Sequence, residues 1–256
     1  CESRCRRNML DTAINIRGIK RVAVDMAGYV APPKCAPSTG KNIAIIGGGP
    51  SGLSAAYYLQ LMGHQTTVIE KRKKLGGMLL YGIPNYRLPR QRLDNDINVI
   101  LETGVKILTD TSVGNEEGQI SLEELRENYD AIYISIGAHR DKKIGIEGED
   151  AFGVVSAVEF LREIGDSKNP DLTGKKICVI GGGNVAMDVA RSSVRLGAER
   201  TAVVYRRRKD DMTALPDEIE SAMAEGVEIM ELYAPDHIET DSTGTVKALW
   251  VSQQMP

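Results

Sequence analysis

Two glycine clusters, each following a short apolar run, limit most tightly what this chain can fold into. Gly47-Gly-Gly-Pro-Ser-Gly52 comes directly after Asn42–Ile46, and Gly181-Gly-Gly-Asn-Val-Ala186 directly after Lys176–Ile180. The first reads G-x-G-x-x-G and the second G-x-G-x-x-A, each between an expected strand and an expected helix. In such a β-α-β start the first glycine allows the tight turn and the second lets the backbone approach a pyrophosphate. The third lets helix and strand pack closely, and the helix N-terminus faces the anion. Alanine at the third position of the second cluster suits a slightly wider spacing.

The surrounding pattern repeats this unit. After the first cluster, Pro50–Met62 reads as a helix stopped by Gly63, and Thr66–Ile69 as a second strand. Ala131–Ile136 (AIYISI) reads as a buried parallel strand. A glycine-punctuated stretch with Gly145, Gly148 and Gly153 precedes the restart: strand Lys176–Ile180, helix Val185–Leu196, strand Thr201–Tyr205 and helix Pro216–Glu225. Ahead of both units, Ile16, Ile19, Val22 and Met26 fall at helical spacing, followed by the Pro-rich linker Ala31–Gly40. The expected architecture is therefore α/β, with two Rossmann-like domains at 41–151 and 152–256 and a helical segment with its linker at 1–40.

The ends of the two second strands differ in charge. Glu70 lies about 20 residues beyond the first glycine, where an acid bonds ribose hydroxyls. The second unit carries Tyr205-Arg206-Arg207-Arg208 there instead. An acid repels a 2′-phosphate and guanidinium groups bind it bidentately, so this end reads as an NADPH site. Two nucleotide sites of different preference in one chain imply a hydride donor and a resident flavin acceptor. Such a transfer needs positioning rather than a protein nucleophile. No Ser-His-Asp set is evident, and the three histidines, His64, His139 and His237, read as scattered surface residues.

Composition narrows the partners. A net charge of −3 and 5% aromatics argue against a nucleic-acid surface, and no apolar run approaches the roughly 20 residues that span a bilayer. No apolar signal core opens the chain, so a cytoplasmic location is expected. The four cysteines, at 1, 5, 35 and 178, are no disulfide framework, and Cys178 within Lys176–Ile180 reads as core. The chain starts on Cys1 and stops just after an expected strand at Ala248–Pro256, so it is expected to be a segment of a longer protein.

Several stretches carry a family resemblance: Cys1-Glu-Ser-Arg-Cys5 with Ile14–Arg21, the GGGPSGLSAAYYL run, Gly76-Gly-Met-Leu-Leu-Tyr-Gly-Ile-Pro-Asn-Tyr-Arg-Leu-Pro89, GGGNVAMDVAR and YRRR. Together they resemble the glutamate synthase small (β) subunit family. That family includes the large subunit of the NADH-dependent ferredoxin:NADP oxidoreductase and the N-terminal half of dihydropyrimidine dehydrogenase. The resemblance covers essentially the whole chain. It implies an N-terminal helical domain with 4Fe–4S clusters, and an NADP(H) domain inserted into a discontinuous FAD domain.

Carried onto this sequence, the resemblance makes Gly47, Gly49, Pro50, Ser51, Gly52, Glu70, Gly77 and Met78 FAD contacts, joined by Arg87, Val113 and Gly137. It makes Gly182, Gly183, Asn184, Val185, Arg206 and Arg207 contacts of NADP(H), and Cys1 and Cys5 cluster ligands. Ser135-Ile136-Gly137 departs from the small-Thr-Gly pattern expected at that point. A cluster takes four ligands, and the cluster region offers two. The implied activity is electron transfer between NADPH, FAD and iron–sulfur clusters, with a larger catalytic subunit or a ferredoxin-type protein as partner. A flavin disulfide reductase of the thioredoxin-reductase type requires a C-x-x-C near the flavin, which this sequence lacks; a nucleotide-binding fragment without turnover is the non-enzymatic alternative.

Overall fold

The computed structural model describes residues 2–255. An N-terminal helix, α1 (Ile16–Ala27), precedes an extended stretch and the first β-α-β unit. That unit comprises β1 (Asn42–Ile46), α2 (Pro50–Leu61), β2 (Gln65–Ile69), the single turn α3 (Met78–Tyr81), α4 (Arg90–Leu101), β3 (Lys106–Leu108), α5 (Leu122–Asn128) and β4 (Ala131–Ile134). Its four strands are parallel in the order β3-β2-β1-β4.

Alternate residues of β1 point to opposite faces, and both faces are covered. Ile43 and Ile45 pack with Ala56 and Val68, whereas Ala44 and Ile46 pack with Ile69 and Leu125. Burial on both faces explains why these strands read as continuous apolar runs.

The second unit follows with α6 (Ala157–Gly165), β5 (Lys176–Ile180), α7 (Asn184–Arg195), β6 (Arg200–Tyr205), α8 (Pro216–Ala224) and β7 (Glu228–Glu231). Its parallel sheet has the order β5-β6-β7. The core here joins Val179 and Val203 of the sheet to Met187 and Ala190 of α7 and to Ile219 and Ala222 of α8. An antiparallel hairpin, β8 (Tyr233–Thr240) with β9 (Val246–Gln253), follows. It is tied to the segment between the units by the bridges Glu147 to His237 and Phe152 to Thr245. Among the described residues no helix is long and apolar enough to cross a membrane.

Two strand expectations need correction. Ala131–Ile136 was expected to be buried, but the strand ends at Ile134 and forms the edge of its sheet. Among the described residues its one strand neighbour is β1, and Ile134 and Ile136 are 62% and 61% exposed. Cys178 was expected in the core and is exposed. β5 is also an edge strand, and the helices cover the face carrying Val179 rather than the one carrying Cys178. Apolarity of a strand thus did not reveal which edge lacked a neighbour.

The closest approach in the first unit lies at its glycine turn. A Cβ on Gly52 would stand 1.9 Å from the Gly47 carbonyl oxygen and 2.7 Å from Ser135 Oγ. Gly52→Ala must push α2 off β1, and overpacking of this kind costs about 1–3 kcal/mol. Thermal melting of the variant should show that loss. An unchanged melting temperature would mean that α2 is free to slide outward.

Candidate functional site

At the carboxyl ends of β1, β2 and β4 lies a cavity of about 620 Å³. It brings together Gly47, Gly49, Pro50, Ser51, Glu70, Gly77, Met78, Val113 and Gly137 from five separate segments of the chain. The N-cap of α2 is Gly49, with Pro50 in the first turn and no side chain capping the helix. The first-turn N–H groups, which lack intrahelical acceptors, are therefore available to an anion.

The glycines act differently. Gly47 has φ +105° and its missing Cβ would lie 2.4 Å from the Ser135 carbonyl oxygen, so the protein itself demands glycine there. Gly52 is demanded by helix packing and does not line the cavity. At Gly49 the nearest atom to a Cβ would be 3.7 Å away, an ordinary contact. Protein packing does not require glycine at 49, and this residue lines the cavity.

Glu70 is 8% exposed and its carboxylate is fixed at both oxygens. Oε2 accepts from the Gly48 N–H at 2.7 Å and Oε1 from the Arg72 N–H at 2.8 Å. Each oxygen retains a lone pair for a hydroxyl. Ser135, the departure from the expected small-Thr-Gly pattern, places Oγ on the carbonyl oxygens of Ile46 and Gly47 at 3.0 and 3.1 Å and so braces the turn. Glycine cradle, helix terminus and preset acid together fit the adenosine-diphosphate part of a dinucleotide.

Sequence reasoning missed Lys71, Arg72, Ser112 and His139, which also line this cavity. Arg72 lies over the Tyr81 ring at 4.7 Å, with its Nε buried and without a hydrogen-bond partner. The Lys71–Lys74 run directly after Glu70 was the available signal for the two cations. His139, expected at the surface, lines the cavity from the segment that follows β4; no local pattern marks that.

In the second unit the turn has the same form. Gly181 has φ +129°, and a Cβ on Gly182 would meet the Tyr205 ring at 2.7 Å. Gly183 is the N-cap of α7, again without a side-chain cap. Asn184 Oδ1 accepts from the Leu215 N–H at 2.9 Å, and Val185 is 47% exposed. Beyond β6, Arg206 and Arg207 are exposed and form no ion pair among the described residues, whereas Arg208 pairs with Asp211. The Arg207 guanidinium stands 5.5 Å from the centre of the Tyr205 ring. Two cations therefore remain free at the end of this strand.

Arg87 is placed differently from the expectation. It does not line the cavity; its guanidinium meets Asp188 of α7 at 2.7 Å and Glu218 of α8 at 3.0 Å. Glu218 also holds Arg191, and Arg191 and Arg195 both hold Glu225. Tyr86 lies beneath the guanidinium groups of Arg191 and Arg195, at 4.7 and 4.0 Å. Asp188 is buried, its Oδ1 has no hydrogen-bond partner, and burial pushes its carboxyl up to about 6 despite the opposing pull of Arg87.

At the N-terminus, Cys1 lies outside the described residues. The Cys5 thiol is held below its ordinary range, chiefly by the Ile14 N–H, with those of Arg7 and Asn8 adding to the effect. Among the described residues no group of three or more His, Cys, Asp or Glu side chains is arranged to hold a metal. The described residues therefore do not by themselves form a cluster site.

Two parallel sheets, each with a glycine turn and an uncapped helix at its carboxyl edge, define an α/β protein with two dinucleotide-type sites. The family model described as pyridine nucleotide-disulphide oxidoreductase matches residues 41–249, and the chain belongs to that family. It is 40% identical over 255 residues to the NADPH-Fe(3+) oxidoreductase subunit beta of Geobacter sulfurreducens, with 96% of this chain and 37% of that protein covered. It is 32% identical over 262 residues to the glutamate synthase (NADPH) small chain of Escherichia coli K12, with 97% of this chain and 55% of that protein covered. The chain thus spans less than two thirds of either relative. Among solved structures, Mycobacterium tuberculosis FprA in complex with NADPH has a TM-score of 0.64 at 21% identity, covering 86% of this chain and 70% of that one. That likeness shows a shared fold.

The Asp188 carboxyl gives this region a pH signature. Its folded pKa of about 6 stands above the ordinary aspartate value of 3.8. Between those values the native state binds a proton that the unfolded chain has released, so this group's contribution to stability rises as pH falls. Asp188→Asn removes the titration. Going from about pH 7.5 to about pH 5, the melting temperature of the unaltered protein should rise relative to that of Asp188→Asn. A relative fall would contradict the assignment.

Proposed function

We propose that this chain is the nucleotide-binding part of a flavin-dependent NADPH oxidoreductase, with FAD in the cavity of the first unit and NADP(H) on the second. The observation that carries this reading is the contrast between the two strand ends: a buried, preoriented Glu70 in one, and uncommitted Arg206 and Arg207 in the other. When bound, the two nucleotides supply a hydride donor and its acceptor. The chain's own residues bind and orient. Gly47, Gly49, Pro50, Ser51 and Gly52 shape the pyrophosphate turn, and Glu70 accepts ribose hydroxyls. Gly77, Met78, Val113 and Gly137 bound the remaining space. On the second unit, Gly182, Gly183, Asn184 and Val185 present the helix terminus, and Arg206 and Arg207 take the 2′-phosphate.

The domain division follows the same assignment, with 41–151 for FAD and 152–256 for NADP(H). Electrons would leave for iron–sulfur clusters, with Cys1 and Cys5 as ligands in the N-terminal segment 1–40, and then for a larger catalytic subunit or a ferredoxin-type partner in the cytoplasm. The relatives' names, "subunit beta" and "small chain", support a subunit of a larger assembly. The disulfide-reductase alternative gains no support, because among the described residues no cysteine lines the cavity.

Nucleotide preference tests the reading. The whole protein should bind NADPH more tightly than NADH and bleach its flavin on mixing with NADPH. Charged hydrogen bonds contribute about 1.5–3 kcal/mol each, so replacing both Arg206 and Arg207 with alanine should reduce that preference by about a hundredfold or more. Equal dissociation constants for the two nucleotides in the unaltered protein would refute it.

The cluster assignment is tested separately. The Cys5 thiol is held below its ordinary range, which favours the thiolate, the form that ligates iron. Anaerobic reconstitution of the whole protein should give less iron and a diminished EPR signal in Cys1→Ser and Cys5→Ser. Unchanged cluster content in both variants would remove these residues from the ligand set.

A further inference from the structure

The segment from Gly77 to Arg90 joins the two units physically. Gly77 and Met78 line the first cavity. One turn later α3 abuts α6, where a Cβ on Gly165 would lie 2.9 Å from both the Leu80 carbonyl oxygen and the Tyr81 Cα. The segment then delivers Tyr86 and Arg87 onto α7 and α8. The Tyr86 hydroxyl reaches the Asp188 carbonyl oxygen at 3.4 Å, and Arg87 bridges the Asp188 and Glu218 carboxylates. Among the described residues the Arg87 side chain forms no ion pair within its own unit. Its partner Asp188 stands one turn beyond Asn184, on the same helix whose N-terminus carries the second glycine turn.

We propose that Arg87 is a positioning residue that fixes the second nucleotide site relative to the first, through its paired hold on Asp188 and Glu218. The inference rests on the reading that FAD and NADPH occupy the two sites. The geometry is economical: a short covalent path runs from the cavity wall to Arg87, and one guanidinium then grips two helices at once. Removing the cation leaves Asp188 buried with neither carboxylate oxygen paired to a side chain, so the loss falls on the junction between units. Arg87, Asp188 and Glu218 do not line the first cavity, and none of them is among the residues assigned to NADP(H) on the second unit. Arg87 therefore governs the rate of hydride transfer between the sites rather than affinity for either nucleotide. Hydride transfer depends steeply on alignment, and a misplacement of about 1 Å costs about a hundredfold in rate.

The test uses the whole flavin-loaded protein with Arg87→Met, Arg87→Lys and Asp188→Asn. Spin labels are attached through keto amino acids introduced at exposed Tyr58 on α2 and exposed Met223 on α8, and their distance distribution is measured without NADPH. Arg87→Met and Asp188→Asn should broaden the distribution and slow single-turnover flavin reduction by about tenfold to a hundredfold. Flavin content and the NADPH dissociation constant should stay within about twofold. Arg87→Lys, which keeps one of the two pairings, should fall between. If Arg87→Met does not fold, Asp188→Asn carries the same comparison. A distribution as narrow as that of the unaltered protein, or a loss confined to NADPH affinity, would overturn the proposal. Failure of the unaltered protein to bleach with NADPH would refute the functional reading instead, while the distance measurement would still decide whether Arg87 holds the units together.

Discussion

The fold of the first unit turns on how closely α2 approaches β1. With no Cβ at Gly52, the helix comes near enough that its third residue lies against the Gly47 carbonyl. This contact sets the direction of the helix axis, and the axis decides where the uncapped N–H groups point. Were α2 moved outward by the width of a methyl group, its terminus would no longer face the same cavity as Glu70. The Ser135 hydroxyl, bonded to the two carbonyls leading into the turn, holds the opposite wall. Cradle, helix terminus and acid thus depend on one tight packing contact.

The second unit reaches a similar turn with different packing. Ala186 replaces the third glycine, and its methyl group sits 3.9 Å from the position a Gly181 Cβ would take. The tight contact has moved to Gly182, which faces the Tyr205 ring. Tyr205 in turn donates its hydroxyl to the Asp211 carbonyl, closing the loop that carries Arg206 and Arg207. A similar backbone shape is reached in the two halves, and the chemistry at the end of the second strand separates them.

Much of this was legible in the sequence because the signals are local. A five-residue apolar run, a glycine turn and a helix stop fall within some twenty positions, and Glu70 and Arg206 follow at fixed offsets from them. What escaped was set by distant neighbours. Burial of β4 and of Cys178 depended on which strands end up at sheet edges, and no short window encodes that. Arg87 was linked to the flavin through its motif, yet its carboxylate partners Asp188 and Glu218 lie a hundred or more positions away on another unit. His139 was unremarkable in sequence and became a cavity residue through the path of a loop.

The end of α1 and the extended stretch between it and β1 are fastened to the first unit. Asp25 pairs with Arg92 near the start of α4, and the Tyr29 hydroxyl donates to Glu102 at its end. The Ala36 N–H then donates to the Leu61 carbonyl, and the Thr39 N–H to that of Gly63. The backbone at 31–40 is nonetheless largely exposed and free of regular structure. Such a strap is cut by proteases more readily than a helix or strand, and a nick within it would leave α1, which has no buried residue, held by exposed side-chain contacts that are individually weak. The N-terminal segment would then come away from the remainder without any loss of the two sheets.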